Sequence, residues 1–298
     1  GKAGVAALTA ALLTQGTADK SAPEIATQIE QLGASVGAGS GVDFSNVYAN
    51  APADVFPQAM ALMADLVRNP AFAEEELERQ QAQTLDGLRV ALSQPGTIAS
   101  QTVARVIYGG APYGAPSGGT VNSIPAIDRA DVAAFHRTYY RPSDATLVFS
   151  GKITPAEART LAQQAFGDWR NPADATPTAA HPAGTVLSPR IIVIDQPGAG
   201  QAAVVAAIRG VSRTDADYFP LTVGNTLLGG GFSSRLNQEI RIKRGLSYGA
   251  GSSLGARQDA GVFTASAQTR NDAAVEVSDL ILAEIASLAT TPTTEADL

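Results

Sequence analysis

The chain contains no cysteine and only two histidines, His136 and His181. It can therefore form neither a disulfide nor a thiolate metal site, and a self-contained histidine-rich zinc site would need both histidines. Lysine and arginine number 21 against 28 aspartate and glutamate, a formal net charge of −7. Nucleic-acid binding requires a basic face, so this class of function is not expected.

Long apolar runs are also missing. No stretch approaches the roughly 20 apolar residues that span a bilayer, so we expect no membrane span. The chain does not begin with methionine. Removal of a signal segment would produce such a start. The composition, which is rich in Ala, Gly and Thr and contains no cysteine, favours a periplasmic or otherwise exported bacterial protein, with a cytoplasmic location as the alternative.

Apolar periodicity predicts helices and strands throughout the chain. Helices are expected at 4–15, 21–32, 54–68, 73–93, 96–108, 128–139, from 154 onward, 215–228, 233–244 and 272–289. Strands are expected within 34–50 and 246–270, and at 145–150, 190–196 and 201–209. Residues 171–189 are rich in Pro, Ala and Thr and are interpreted as a linker.

An internal repeat divides the chain. Residues 33–40 read GASVGAGS and residues 245–252 read GLSYGAGS, identical at six of eight positions and 212 residues apart. The predicted elements around both copies follow the same order. We therefore predict an α+β fold of two homologous domains, 1–182 and 183–298, each a mainly antiparallel sheet with helices packed on it.

The repeat also predicts where the two domains are incomplete. The strands within 190–209 have no upstream counterpart, and the residues after 86 have no downstream counterpart. We expect the first domain to lack its N-terminal strand and the second domain to lack its C-terminal part.

Two chemically active side chains occur in only one copy of the repeat. Arg241 and Tyr248 occupy positions that hold Ile29 and Val36 in the first copy. A guanidinium fork and a phenolic donor suit the binding of a carbonyl or an oxyanion. A structural reading is the alternative, because a cation in the last turn of a helix and a tyrosine in a strand are both favoured.

A serine nucleophile is a further alternative, since residues 245–249, GLSYG, match the pattern G-x-S-x-G. That pattern requires a strand-to-helix elbow and a histidine later in the chain. Here a helix precedes the turn, no histidine follows His181, and residues 33–37 match equally well. The match is a by-product of the repeat, and Ser247 is not expected to act. His136 is interpreted as a structural residue at a helix end.

Three segments resemble one family of peptidases. They are LLGGGFSSRLNQEIRIKRGLSY at 227–248, FHRTYYRPSDATLVFSGKI at 135–153 and YGAPSGGTVNSI at 113–124. Essentially the whole chain resembles the pitrilysin-like zinc peptidases, in the branch that contains mitochondrial processing peptidase and bacterial two-subunit relatives.

The resemblance implies a zinc site that this chain has lost. The family has H-x-x-E-H on its first helix, and here the two histidine positions hold Ala7 and Ala11, while the general-base position holds Ala10. The third ligand position falls near Gly87. By this resemblance the chain holds no cofactor of its own and is inactive alone.

The resemblance also implies a role for the second half. Arg241 and Tyr248 would bind the scissile carbonyl and the developing oxyanion of a peptide, while a homologous partner chain with H-x-x-E-H supplies zinc in a heterodimer. A different class of function is the alternative, namely an inert structural or assembly subunit like the respiratory-complex core proteins of the family.

Overall fold

The computed structural model describes residues 2–173, 177 and 188–291. Two compact units make up the chain, one of residues 1–88 and 116–179 and the other of residues 89–115 and 180–298. The predicted boundary between residues 182 and 183 lies outside the described residues, as do His181 and most of the predicted linker.

Most of the predicted helices form within a few residues of their expected ends. The α-helices are α1 (Val5–Leu12), α2 (Ala22–Gln31), α3 (Phe56–Arg68), α4 (Glu74–Leu92), α5 (Pro95–Tyr108), α6 (Arg129–Tyr139), α7 (Pro155–Phe166), α8 (Tyr218–Gly229) and α9 (Ala274–Thr290). The strands are β1 (Ser35–Ser40), β2 (Ser45–Asn50), β3 (Ala202–Gly210), β4 (Ala250–Gly255) and β5 (Gly261–Thr269). Capping boxes at Ser21, Asp128 and Thr154 define the starts of α2, α6 and α7.

The first unit is built on an antiparallel hairpin of β1 and β2, in which Ser35 pairs with Asn50. Leu8 and Leu12 of α1 are buried together with Leu77 of α4 in its main core cluster. A second cluster joins α2 to α3 through Ile25, Leu62 and Leu66. The core therefore fixes α1 and the part of α4 that belongs to this unit against each other.

The second unit contains a three-stranded antiparallel sheet in the order β3-β5-β4. One face of the sheet, including Ala265 and Ala267, packs against Leu228, Ile240 and Ile281 in the core. Because side chains alternate along a strand, the residues between them point to the other face. Helix α5 packs on β3, so residues 89–115 belong to this unit although they precede the residues that link the two halves of the sequence.

Two predicted strands were wrong. Residues 145–150 and 190–196 belong to no strand in the described structure. Their β-branched side chains are largely exposed, and the exposed fraction reaches 93% for Ile191 and 87% for Val193. A strand needs the backbone of a neighbour to bond with, which composition alone does not provide.

The repeat predicted from the sequence is present in the structure. The order α1, α2, β1, β2, α3 recurs as α8, a π-helix, β4, β5, α9. The π-helix covers Asn237–Lys243, where an α-helix was predicted. In both copies the glycine after the helix has a left-handed backbone, with φ of 54° at Gly33 and 62° at Gly245.

None of the helices in the described part of the chain is both long and apolar enough to cross a membrane.

Candidate functional site

The positions expected to hold zinc in this family lie on two helices of the first unit. Ala7, Ala10 and Ala11 are on α1, whose Leu8 and Leu12 are buried in the core. Ala10 is 1% exposed, whereas Ala7 and Ala11 are partly exposed. The helix is therefore intact, and only the side chains differ from the metal-binding pattern.

Gly87 lies on α4, whose Leu85 and Leu88 pack against the same cluster as Leu8 and Leu12. A Cβ at Gly87 would have no atom within 4 Å. Neither this position nor the three alanines has a side-chain nitrogen, oxygen or sulfur, and zinc requires such ligands. Within the described ranges, no group of three His, Cys, Asp or Glu residues could hold a metal ion. The residues present do not fit zinc.

Arg241 lies in the last turn of the π-helix. Its guanidinium carbon is 5.0 Å from the ring centroid of Phe232, and its carbonyl accepts a hydrogen bond of 2.9 Å from the amide of Gly245. The neighbouring cations are engaged elsewhere, since Lys243 and Arg244 both bind Glu239 at 2.8 Å. Those hydrogen bonds, from Lys243 first and then Arg244, lower the pKa of Glu239.

Arg241 itself makes no ion pair among the described residues. Its donors are thus available to a ligand.

Tyr248 lies between the π-helix and β4 and is 90% exposed. The residues on both sides of it are held in place. Leu246 packs against the core, and its carbonyl accepts a 2.6 Å hydrogen bond from the hydroxyl of Thr269 on β5. On the other side Ala250 is buried and begins β4. An exposed phenol is therefore presented from a fixed backbone.

Ser247 has a local structural role. Its hydroxyl donates to the carbonyl of Gly249 at 2.7 Å and accepts from the amide of the same residue at 3.1 Å. No histidine of the described residues belongs to this unit. His136 lies in the first unit, where its Nε2 donates to the carbonyl of Val67 at 2.7 Å. Ser247 therefore has no histidine partner among the described residues. Ser247 stabilises a turn, and His136 has a packing role in the first unit.

A groove of about 370 Å³ adjoins Tyr248. Its floor is the outward face of the sheet, where Val205, Ser266 and Gly251 lie side by side across the three strands, and Ala203 and Gln268 form the next row. One wall is the start of α5, with Gly96 and Ser100, and the other contains Ser247, Tyr248 and Gly249. We call this feature the sheet groove.

The sheet groove and Arg241 have different surroundings. Tyr248 lines the groove, whereas Arg241 is not among its lining residues and stacks on Phe232 instead. Tyr248 is thus placed at this groove and Arg241 is not. The groove itself was not predicted, because Gly96 and Ser100 are more than 100 residues from Gln201 and the other floor residues, and small residues give no local signal.

Comparison with known families identifies the fold. Residues 126–298 match the family model of the peptidase M16 inactive domain, and residues 1–121 match that of insulinase, peptidase family M16. The chain belongs to peptidase family M16. The resemblance to pitrilysin-like peptidases predicted from the sequence is therefore confirmed.

Curated M16-like relatives include two bacterial proteins named as uncharacterized zinc proteases. The protein of Streptomyces coelicolor is 29% identical over 85% of this chain and 56% of its own length. The protein of Mycobacterium leprae is 28% identical over 99% of this chain and 66% of its own length. The chain thus spans between about half and two thirds of these relatives.

A solved structure supports the same assignment. The crystal structure of a peptidase M16 inactive domain from Pseudomonas fluorescens is 30% identical, with a TM-score of 0.93 over 99% of this chain and 72% of that one. A protease structure from Helicobacter pylori shares the fold with a TM-score of 0.93 at 22% identity. The predicted α+β fold of two homologous domains is confirmed.

Proposed function

We propose that this M16 chain is the non-catalytic subunit of a heterodimeric zinc metallopeptidase that degrades or processes peptides. One observation supports it above the others: α1 and α4 keep their packing while the metal and base positions hold Ala7, Ala10, Ala11 and Gly87. Tyr248, in contrast, is exposed on a fixed segment where it can meet a substrate.

In this proposal Tyr248 donates a hydrogen bond from its hydroxyl to the oxygen of the scissile carbonyl. The bond strengthens as negative charge develops on that oxygen, and one such donor lowers the activation barrier by about 2.7–4 kcal/mol. Its flanking residues are anchored by the core and by Thr269, so little reorganisation accompanies the reaction.

Arg241 has a complementary role in the proposal. A guanidinium is planar, always charged and able to donate two parallel hydrogen bonds, so it suits a peptide carbonyl or a developing oxyanion. Stacking on Phe232 limits the orientations of its side chain.

The partner is a homologous chain with an intact H-x-x-E-H motif. Zinc bound there would activate water for attack on the peptide bond. This chain binds the peptide and orients its carbonyl.

The test is reconstitution. The chain is mixed with a homologous subunit that contains H-x-x-E-H, and cleavage of a quenched fluorescent peptide is followed with and without a zinc chelator. We expect cleavage by the mixture only, abolished by the chelator, with each subunit alone at background. Chelator-sensitive cleavage by this chain alone would contradict the proposal. A partner whose rate is unchanged by adding the chain would instead favour an inert structural subunit.

A further inference from the structure

The two copies of the repeat differ beside the glycine turn that they share. Gly249 corresponds to Gly37, 212 positions upstream. A Cβ at Gly37 would lie 2.7 Å from the hydroxyl oxygen of Tyr48, the residue paired with it on β2. A Cβ at Gly249 would have no atom within 4 Å. The turn alone therefore does not create the groove.

The difference comes from the strand opposite the turn. In the second copy, β5 places Ser266 and Gln268 on this face instead of a tyrosine. The amide nitrogen of Gln268 lies toward α5, 3.1 Å from where a Cβ of Gly96 would be. The space that an aromatic ring covers in the first copy is left open beside Tyr248.

The chemistry of the lining points to one kind of ligand. None of the lining residues is charged, and Ser100, Gln201, Ser266 and Gln268 supply side chains that both donate and accept hydrogen bonds. A peptide backbone needs both kinds of partner. Gly249 has no side chain, and a Cβ there would have no atom within 4 Å, so another backbone can come close to it.

The dimensions limit the size of that ligand. Three strands give a floor on the order of 10 Å wide, and two successive rows of outward side chains extend over roughly 7 Å. At about 370 Å³ the groove is near the lower end of the roughly 300–1,000 Å³ typical of ligand sites. It has room for two or three extended residues with small side chains.

We propose that the sheet groove binds an extended peptide segment of small, uncharged residues, next to the bond that Tyr248 engages. This inference rests on the proposed function, whose substrate class it narrows. A charged side chain in the groove would lose water without gaining a countercharge, so acidic and basic residues are disfavoured there.

The direct test is binding to the full chain, without a partner. A Gly-Ala-Ser-rich peptide and two analogues with a central Asp or Lys are titrated up to millimolar concentration and followed by NMR. We expect saturable shifts of groove resonances with the neutral peptide and at least tenfold weaker binding of both analogues. Equal binding of the three peptides, or no saturable shift, would overturn the inference.

Substitutions localise the binding. Ser266→Leu fills the floor and should weaken binding of the neutral peptide at least tenfold, and Ala203→Leu does the same from β3 should the first variant fold poorly. Ser253→Leu is the matched control, since Ser253 is exposed on β4, bonded to Thr264 and outside the groove. Binding lost equally in the control and the Ser266 variant would count against the groove.

Cleavage by the reconstituted pair separates the two proposals. If Ser266→Leu raises KM for neutral peptides and leaves kcat nearly unchanged, both stand. If the pair cleaves but Ser266→Leu leaves its choice of peptide unaltered, the groove proposal is wrong and the proposed function stands. If the isolated chain binds the neutral peptide through the groove but the pair never cleaves, the proposed function is wrong and the groove proposal stands.

Discussion

Tyr248 combines high exposure with neighbours that are anchored in the core, which makes its substitution informative. We expect Tyr248→Phe to lower kcat of the reconstituted pair by about 10²–10³-fold, because it removes one hydrogen-bond donor to the developing oxyanion. Stability should change by less than about 0.5 kcal/mol, since the hydroxyl is exposed and bonds no described residue. Kinetics and urea unfolding of the same preparation measure both. Unchanged turnover would remove Tyr248 from the mechanism.

Arg241 provides a second test at the residue scale. We expect Arg241→Ala to lower kcat by a factor similar to that for Tyr248→Phe, and Arg241→Lys to restore only part of it, because lysine keeps the charge but loses the planar fork. The lost stacking on Phe232 should cost only about 0.5–1 kcal/mol of stability.

Lys243→Ala is the matched control for Arg241. It removes a cation from the same π-helix, but one that pairs with Glu239 on the surface, so turnover should be retained. Equal losses of kcat in Arg241→Ala and Lys243→Ala would indicate a general effect of positive charge on this segment.

At the scale of single residues the sequence predicts part of the candidate site. The comparison of two repeat copies was enough to single out Arg241 and Tyr248, because the second copy contains side chains that the turn does not need. It could not find Ser266 or Gln268, whose place in the sheet groove depends on β5 lying opposite Gly249 and on α5 packing over the sheet.

The turn that ends the helix in each copy allows effects on stability to be distinguished from effects on activity. Gly33 and Gly245 both have left-handed φ angles, and a Cβ at either would meet no atom within 4 Å. Alanine at either position therefore suffers only backbone strain, and we expect each Gly→Ala variant to lose about 1 kcal/mol of stability.

Activity should distinguish the two glycine variants. Gly245→Ala alters the turn between Arg241 and Tyr248 and should lower kcat, whereas Gly33→Ala should keep full turnover at equal stability loss. Urea unfolding and peptide cleavage of the two variants provide the comparison. Equal kinetic effects would show that the turns serve stability alone.

Elements differ in how far local sequence determines them. Capping boxes at Ser21, Asp128 and Thr154 and 3.6-residue periodicity determine α2, α6 and α7 locally, because both act within a few residues. The π-helix at Asn237–Lys243 has no such signal, although π-helical segments often occur at functional sites. Residues 145–150 and 190–196 have the composition of strands, but pairing depends on distant backbone that composition does not specify.

At the scale of the whole molecule, His136 should contribute the most, among the described residues, to the pH dependence of stability near neutrality. His136 is partly buried beside the rings of Phe72 and Tyr140, and its Nε2 donates to the carbonyl of Val67. Burial lowers its pKa, and the hydrogen bond to Val67 opposes this only in part. The folded protein therefore binds this proton less readily than the unfolded chain does.

The sign of the effect follows from the lowered pKa. The contribution of neutral His136 to the free energy of unfolding is fully present above the unfolded pKa of about 6.5. It is lost as the pH falls from there toward the folded pKa, with a slope of at most about 1.4 kcal/mol per pH unit. His136→Gln should flatten the profile between pH 5 and 7, with His181 present in both proteins. Urea unfolding at several pH values measures this. Parallel stability–pH profiles of the two proteins would show that residues other than His136 cause the pH dependence.

The exposed segment at residues 190–196 has a consequence for handling the protein. Ile191, Ile192, Val193 and Ile194 are consecutive, β-branched and at least 47% exposed, and the flanking Arg190 and Asp195 cancel in charge. Such a segment is a template for intermolecular strand stacking. At high concentration the chain should self-associate through it, and Val193→Lys should reduce the self-association measured by light scattering.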